Sequence, residues 1–150
     1  GGRPMLIHYW APWEHNSRAQ AHALDSLAHS PGIGRVRVAI VCFDPFPSVA
    51  RFVGRQRLRI PVLLDGPHQL TPALPCPSLP YTYLIDGRGR IAAELAGEVD
   101  WWAAETIETL SRVSAEEWGD SAEPASSSGP SAFRQARGGP GTARAALPAF

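Results

Sequence analysis

A chain of 150 residues suffices for one domain, or for a smaller domain with a tail, and is too short for two independent catalytic domains. Hydrophobic residues make up 44% and charged residues 19%, near the globular average, so the chain as a whole can bury enough apolar surface to offset the entropy of folding. Fourteen basic and fourteen acidic side chains cancel, which leaves no global field for nucleic acid or an anionic membrane, and the absence of Lys excludes Schiff-base and P-loop chemistry.

Met5 to Trp10 reads as a buried strand between Pro4 and Ala11-Pro12. A helix is predicted from about Trp13 to Ser30, with Leu24, Leu27 and Ala28 on one face and Pro31-Gly32 as its stop. Val36 to Phe43 forms a second apolar, β-branched strand, too short for the ~18–20 residues that span a bilayer, and no membrane span is expected. Ser48 is placed to cap a helix to about Arg57, with Val49, Phe52 and Val53 on one side. Pro61 to Asp65 is a short apolar stretch, and Leu70 to Leu74 makes a helical turn before the run Pro75-Cys76-Pro77-Ser78-Leu79-Pro80.

Tyr81 to Ile85 and Arg90 to Leu95, joined by Asp86-Gly87-Arg88-Gly89, predict a hairpin. Asp100 is a candidate cap for a last helix carrying Ala103, Ala104, Ile107, Leu110 and Val113. The order β-α-β-α followed by β-β-α implies a mixed central sheet with helices on both faces, a three-layer α/β/α sandwich. The folded part is expected over residues 1–115. Residues 116–150, rich in Ala, Gly, Pro and Ser, are expected to be a disordered tail, with a docking arm bearing Arg134, Arg137 and Arg144 as the alternative.

The runs Gly2-Arg3-Pro4-Met5-Leu6-Ile7-His8-Tyr9-Trp10-Ala11-Pro12-Trp13, Phe52-Val53, Pro61-Val62-Leu63-Leu64-Asp65 and Leu79-Pro80-Tyr81-Thr82-Tyr83-Leu84-Ile85-Asp86-Gly87-Arg88-Gly89-Arg90-Ile91, then Gly97-Glu98, occur in a telling order. Over roughly residues 2–113 the chain resembles thioredoxin-like proteins of the TlpA/ResA type, with blocks G-x-P-V-L-V-N-F-W-A-x-W-C-x-x-C, F-P-V-L-L-D and L-P-T-T-F-L-I-D-x-x-G-x-I. The resemblance implies the thioredoxin-like fold, thiol-disulfide oxidoreductase relatives, and the cell envelope as compartment. It also implies a cis-proline at Pro80, next to a residue, Leu79, whose backbone would pair with an extended peptide. The family's upstream β-hairpin does not precede Met5, which leaves a shortened chain open.

The family's Cys-x-x-Cys is replaced by Glu14-His15-Asn16-Ser17. Its chemistry is thiolate attack on a disulfide, with the first thiol activated by the helix start and the second resolving the intermediate. Glu14 and Ser17 cannot supply either sulfur, although an anion at Glu14 suits a helix N-terminus. The expectation is a redox-inactive, CxxC-less domain acting as a binding or structural module. A peptide or protein would contact Trp13, Leu79 and Pro80. The alternative is an oxidoreductase with a relocated thiol, Cys76, alone or with Cys42.

Cys42 ends an apolar strand and reads as a buried, inert thiol. The two cysteines have no metal-type spacing, and no cofactor or metal is expected. His15, His22 and His29 recur every seven residues on one face of the first helix, about 10 Å apart, too far to share a metal. Glu14, His15 and Ser17 sit too close together on one element to converge as a hydrolytic triad.

Overall fold

The computed structural model of the chain describes residues 2–116 and the pair 134–135; the tail expected over 116–150 otherwise lies outside the described residues. The elements are β1 (Met5–Tyr9), α1 (Ser17–Ala28), a 3₁₀ turn (Pro31–Ile33), β2 (Arg37–Cys42), α2 (Phe46–Gln56), β3 (Val62–Leu64), β4 (Tyr81–Ile85), β5 (Ile91–Ala96), α3 (Ala104–Ala115) and β6 (Arg134–Gln135). They build a mixed sheet in the order β3-β2-β1-β4-β5-β6. β1, buried along its whole length, lies parallel to β2 and antiparallel to β4, as a central strand with apolar residues on both faces should. The β4–β5 hairpin forms as the sequence predicts.

β1 to β2 and β2 to β3 step in the same direction across the sheet through parallel crossovers, which by the usual right-handed rule puts α1 and α2 on the same face, as their shared core shows. α3 returns to that face as well. There Leu6, Trp10, Val38, Ile40 and Leu84 pack with Leu24 and Leu27 of α1, Val49 of α2, and Leu110 and Val113 of α3. Gly34, at φ +59°, lets the turn after α1 approach Ser114, whose hydroxyl accepts from Arg35 N at 2.7 Å and ties α3 down.

The other face differs from the expected helical layer. Met5, Ile7, Tyr9, Ala39, Val41, Tyr83 and Ile85 are covered by Leu70, Leu74, Cys76 and Leu79 of the loop 65–80. Leu70 to Leu74 makes one helical turn, Leu74 N donating to Leu70 O at 2.8 Å, and the proline run beginning at Pro75 stops it from growing.

Helix starts also move. α1 begins at Ser17 instead of about Trp13, because Glu14 N and Ser17 N donate to Ala11 O and Glu14 O in two successive turns. α2 is capped at Pro45, three residues before Ser48, since a proline in the first turn surrenders an N–H that has no partner there anyway. Asp100 caps the Trp101–Trp102 turn, accepting from Trp102 N at 3.1 Å, and α3 starts later at Ala104. Among the described residues, no helix is long and apolar enough to cross a membrane.

Candidate functional site

The pairing of Tyr9 with Tyr81 brings the segment after β1 and the segment before β4 to the same end of the sheet. Glu14 to Ser17 and Leu79-Pro80 therefore share one neighbourhood. The loop after β5 joins them: Gly97 N donates to Pro80 O at 2.9 Å, and the Asn16 amide donates to the Glu98 carboxylate. Gln20 adds a second tie, donating to Val99 O at 3.0 Å while its oxygen accepts from Trp101 Nε1 at 2.9 Å. The Leu79–Pro80 peptide bond is cis.

At the two positions where the TlpA/ResA pattern has sulfur, the polar groups are turned inward. Ser17 is buried and its hydroxyl donates to Ala11 O. The Glu14 carboxylate accepts from Asn16 N at 3.0 Å and lies 3.4 Å from the Ser17 hydroxyl. Each satisfies the chain around the helix start, and His15 is exposed, so no acid–base–nucleophile set is assembled. Trp13 presents 72% of its surface to solvent. Leu79 leans its side chain on the loop-face core, and among the described residues neither of its backbone groups takes a hydrogen-bond partner.

The two thiols lie apart. Cys42 is buried in the core under the helices, and burial pushes it up to about 11. Cys76 packs against the loop-face core, half-buried, donating to Ser78 O at 3.3 Å; burial raises it too. Both are free, and the sheet stands between the two cores they join. The spaced histidines have separate partners: His22 Nε2 meets Gln56 Oε1 at 2.7 Å and His29 Nδ1 meets Asp25 O at 2.6 Å. Among the described residues no three His, Cys, Asp or Glu side chains are grouped to hold a metal.

Sequence reasoning did not single out Arg51 and Arg55, which with Arg18 line a cleft between α1 and α2. Their i, i+4 spacing on one helix was the available signal.

The backbone settles the class of fold by comparison with solved structures. StoA from Bacillus subtilis superposes with a TM-score of 0.62 at 19% identity, over 75% of this chain and 82% of that one. A candidate thioredoxin from Neisseria meningitidis gives 0.66 at 25% identity, over 77% and 79%. The chain has the thioredoxin-like fold. A secreted Mycobacterium tuberculosis disulfide oxidoreductase homologous to E. coli DsbE gives 0.58 at 20%, over 76% and 81%. No protein-family model and no curated protein matches the sequence. The thioredoxin-like fold thus stands on the backbone, while the site residues must be read from this chain itself.

Proposed function

We propose that this thioredoxin-like domain is a binding module without dithiol chemistry, recognising an extended peptide of a protein partner at the helix start and the proline turn. The observation that carries it is the occupation of the helix start by Glu14 and Ser17, whose side chains bond the local backbone. No thiolate can form there. The two thiols the chain does have are both held protonated by burial, in cores on opposite faces, which supports the same reading. The exposed Trp13 and the unused backbone groups of Leu79 offer what an added strand needs, an apolar contact and a donor–acceptor pair. A compartment in the cell envelope belongs to this proposal by analogy with the disulfide oxidoreductases that share the fold.

Insulin-disulfide reduction and oxidation of reduced RNase, each beside an active thioredoxin-fold oxidoreductase, test it. The expected result is turnover at the level of the uncatalysed thiol reagent. Turnover comparable to the active protein overturns it. If that activity disappears in Cys76→Ser, the relocated thiol four residues before Pro80 is the nucleophile instead.

A further inference from the structure

The cleft between α1 and α2 measures about 800 Å³ and is lined by His15, Arg18 and His22 from the α1 side and by Arg51, Phe52 and Arg55 from α2. Phe52 is its apolar floor, packed on buried Trp10 with ring centroids 4.7 Å apart. Three arginines therefore line one concavity. Among the described residues none of the three joins an ion pair; the salt bridges of the fold use Arg59 with Asp25 and Arg90 with Asp86.

The one acid in the wall, Glu14, forms no ion pair with them. It stands one helical turn before Arg18, yet its carboxylate accepts from Asn16 N and faces the Ser17 hydroxyl. Glu98, which the Asn16 amide reaches, is likewise engaged. A protein with zero formal net charge thus sets three arginines against one carboxylate in one recess, an excess of positive charge.

We propose that this cleft docks an acidic segment of a protein partner, an extended stretch with carboxylates at alternate positions. Spacing favours that form. Arg51 and Arg55 are separated by four residues of helix, a rise of about 6 Å, and Arg18 lines the α1 wall, where His22 is already engaged with Gln56 at 2.7 Å. Side chains on one side of an extended peptide repeat at about 7 Å. Alternate carboxylates can therefore meet successive guanidiniums, each with the planar fork that suits a carboxylate. The balance of charge outside the cleft argues against a nucleic acid, whose backbone needs a continuing basic track. The site goes beyond the peptide edge at Leu79 and does not depend on it.

A fluorescent peptide of alternating Glu and Ser, six residues long, provides the probe, titrated by anisotropy into the full chain at low salt. It should bind saturably with one-to-one stoichiometry, while its Gln-for-Glu counterpart should not bind. R51Q/R55Q should weaken binding about tenfold, since two partly exposed charge pairs are lost. R88Q, in the exposed hairpin turn, should change it less than about twofold by the same reasoning. Far-UV circular dichroism establishes that each variant is folded, as substitutions at exposed positions should leave it. Absence of saturable binding overturns the proposal, as does an equal loss in R88Q. A single-stranded oligonucleotide that displaces the peptide at concentrations below the peptide's own Kd reassigns the cleft to nucleic acid and overturns it as well.

Discussion

On one face of the sheet Leu6, Trp10, Val38 and Leu84 meet side chains from three helices, whereas on the other Ile7, Tyr9, Val41 and Tyr83 meet the loop 65–80. The helical face is held by many apolar contacts distributed over long elements. The loop has one buried leucine, Leu74, and relies on polar pins: Tyr9 donates to Leu74 O at 2.9 Å, Tyr83 donates to Pro75 O, and Asp65 accepts from Gln69 N at 2.6 Å and Leu70 N at 3.0 Å. Burial raises both phenols, which keeps them donors across the ordinary pH range. A few directional bonds can order a loop that lacks a helix's own ladder, but removing one frees a whole segment. The helices would instead lose stability without losing their place.

The sharpest way to break this contrast is a matched truncation. Leu24→Ala and Leu74→Ala each remove a side chain with 0% exposure. Under the helices the void cannot collapse, and a loss of about 4 kcal/mol in urea unfolding is expected; on the loop face about 2 kcal/mol, because the loop can settle inward. Equal losses would mean that the loop is as rigid as the helices.

Acid should then discriminate by chemistry. His8 is buried beneath the helical layer, its Nδ1 2.9 Å from Thr82 Oγ1 and its ring edge-on to Trp101, and burial lowers it from 6.5 to about 3. The unfolded chain takes up a proton below pH 6.5 while the folded one does not. Stability is therefore complete above pH 6.5 and falls as pH drops toward 3, by about 3 kcal/mol at pH 4. His8→Asn should flatten that part of the curve in chemical denaturation across pH 4–7. An unchanged slope would place the acid sensitivity elsewhere.

The strands and the hairpin were readable from apolar runs and Gly-containing turns, because those signals are local. That the loop 65–80 covers the second face of the sheet in place of a helix was not, since nothing local tells on which face a segment packs; that the turn Leu70 to Leu74 ends where it does was readable. Pro75 decides that by removing a donor and restricting its predecessor. Helix starts shifted for a related reason: Pro45 stands at the cap of α2 where Ser48 was expected, and α1 waits for the turns closed on the Ala11 and Glu14 carbonyls. At the site, the positions of Glu14, Ser17 and Pro80 came through family resemblance. The tie between the helix start and the loop after β5 did not, since Asn16 and Glu98 meet across 82 residues of sequence. Cys42 and Cys76 read as a possible pair only while the sheet between them was unseen.

Two aspartates compare the faces on equal terms. Burial would raise Asp25 on α1, but the N–H groups of Arg59 and Ile60 and the Arg59 guanidinium hold it below its ordinary 3.8. Its stabilisation is therefore present above about pH 4 and lost as pH falls through the lower folded value. Asp65 caps the loop's single helical turn. Asp65→Ala should cost about 2 kcal/mol for two backbone donors left without their acceptor. Hydrogen exchange should show the difference in kind: amides of 66–80 exchange faster while those of α1 and α3 do not. Uniform acceleration would mean that the two layers open together.

The smallest expected effect lies at the seam between the faces, where Glu14 precedes α1. Glu14→Gln keeps an oxygen to accept from Asn16 N and removes the charge that favours a helix N-terminus, so a loss of about 0.5 kcal/mol, reduced by salt, is expected. Its size matters because Glu14 stands where the TlpA/ResA pattern has a cysteine, and its carboxylate bonds its own turn. If thermal unfolding showed several times that loss, the carboxylate would be holding something besides its own turn, and the cationic wall of the neighbouring cleft would be its partner. A loss near the expected value leaves Arg18, Arg51 and Arg55 free for an external acid, and taken with the anisotropy titration of the acidic peptide it decides whether the cleft side of the helix start takes a ligand.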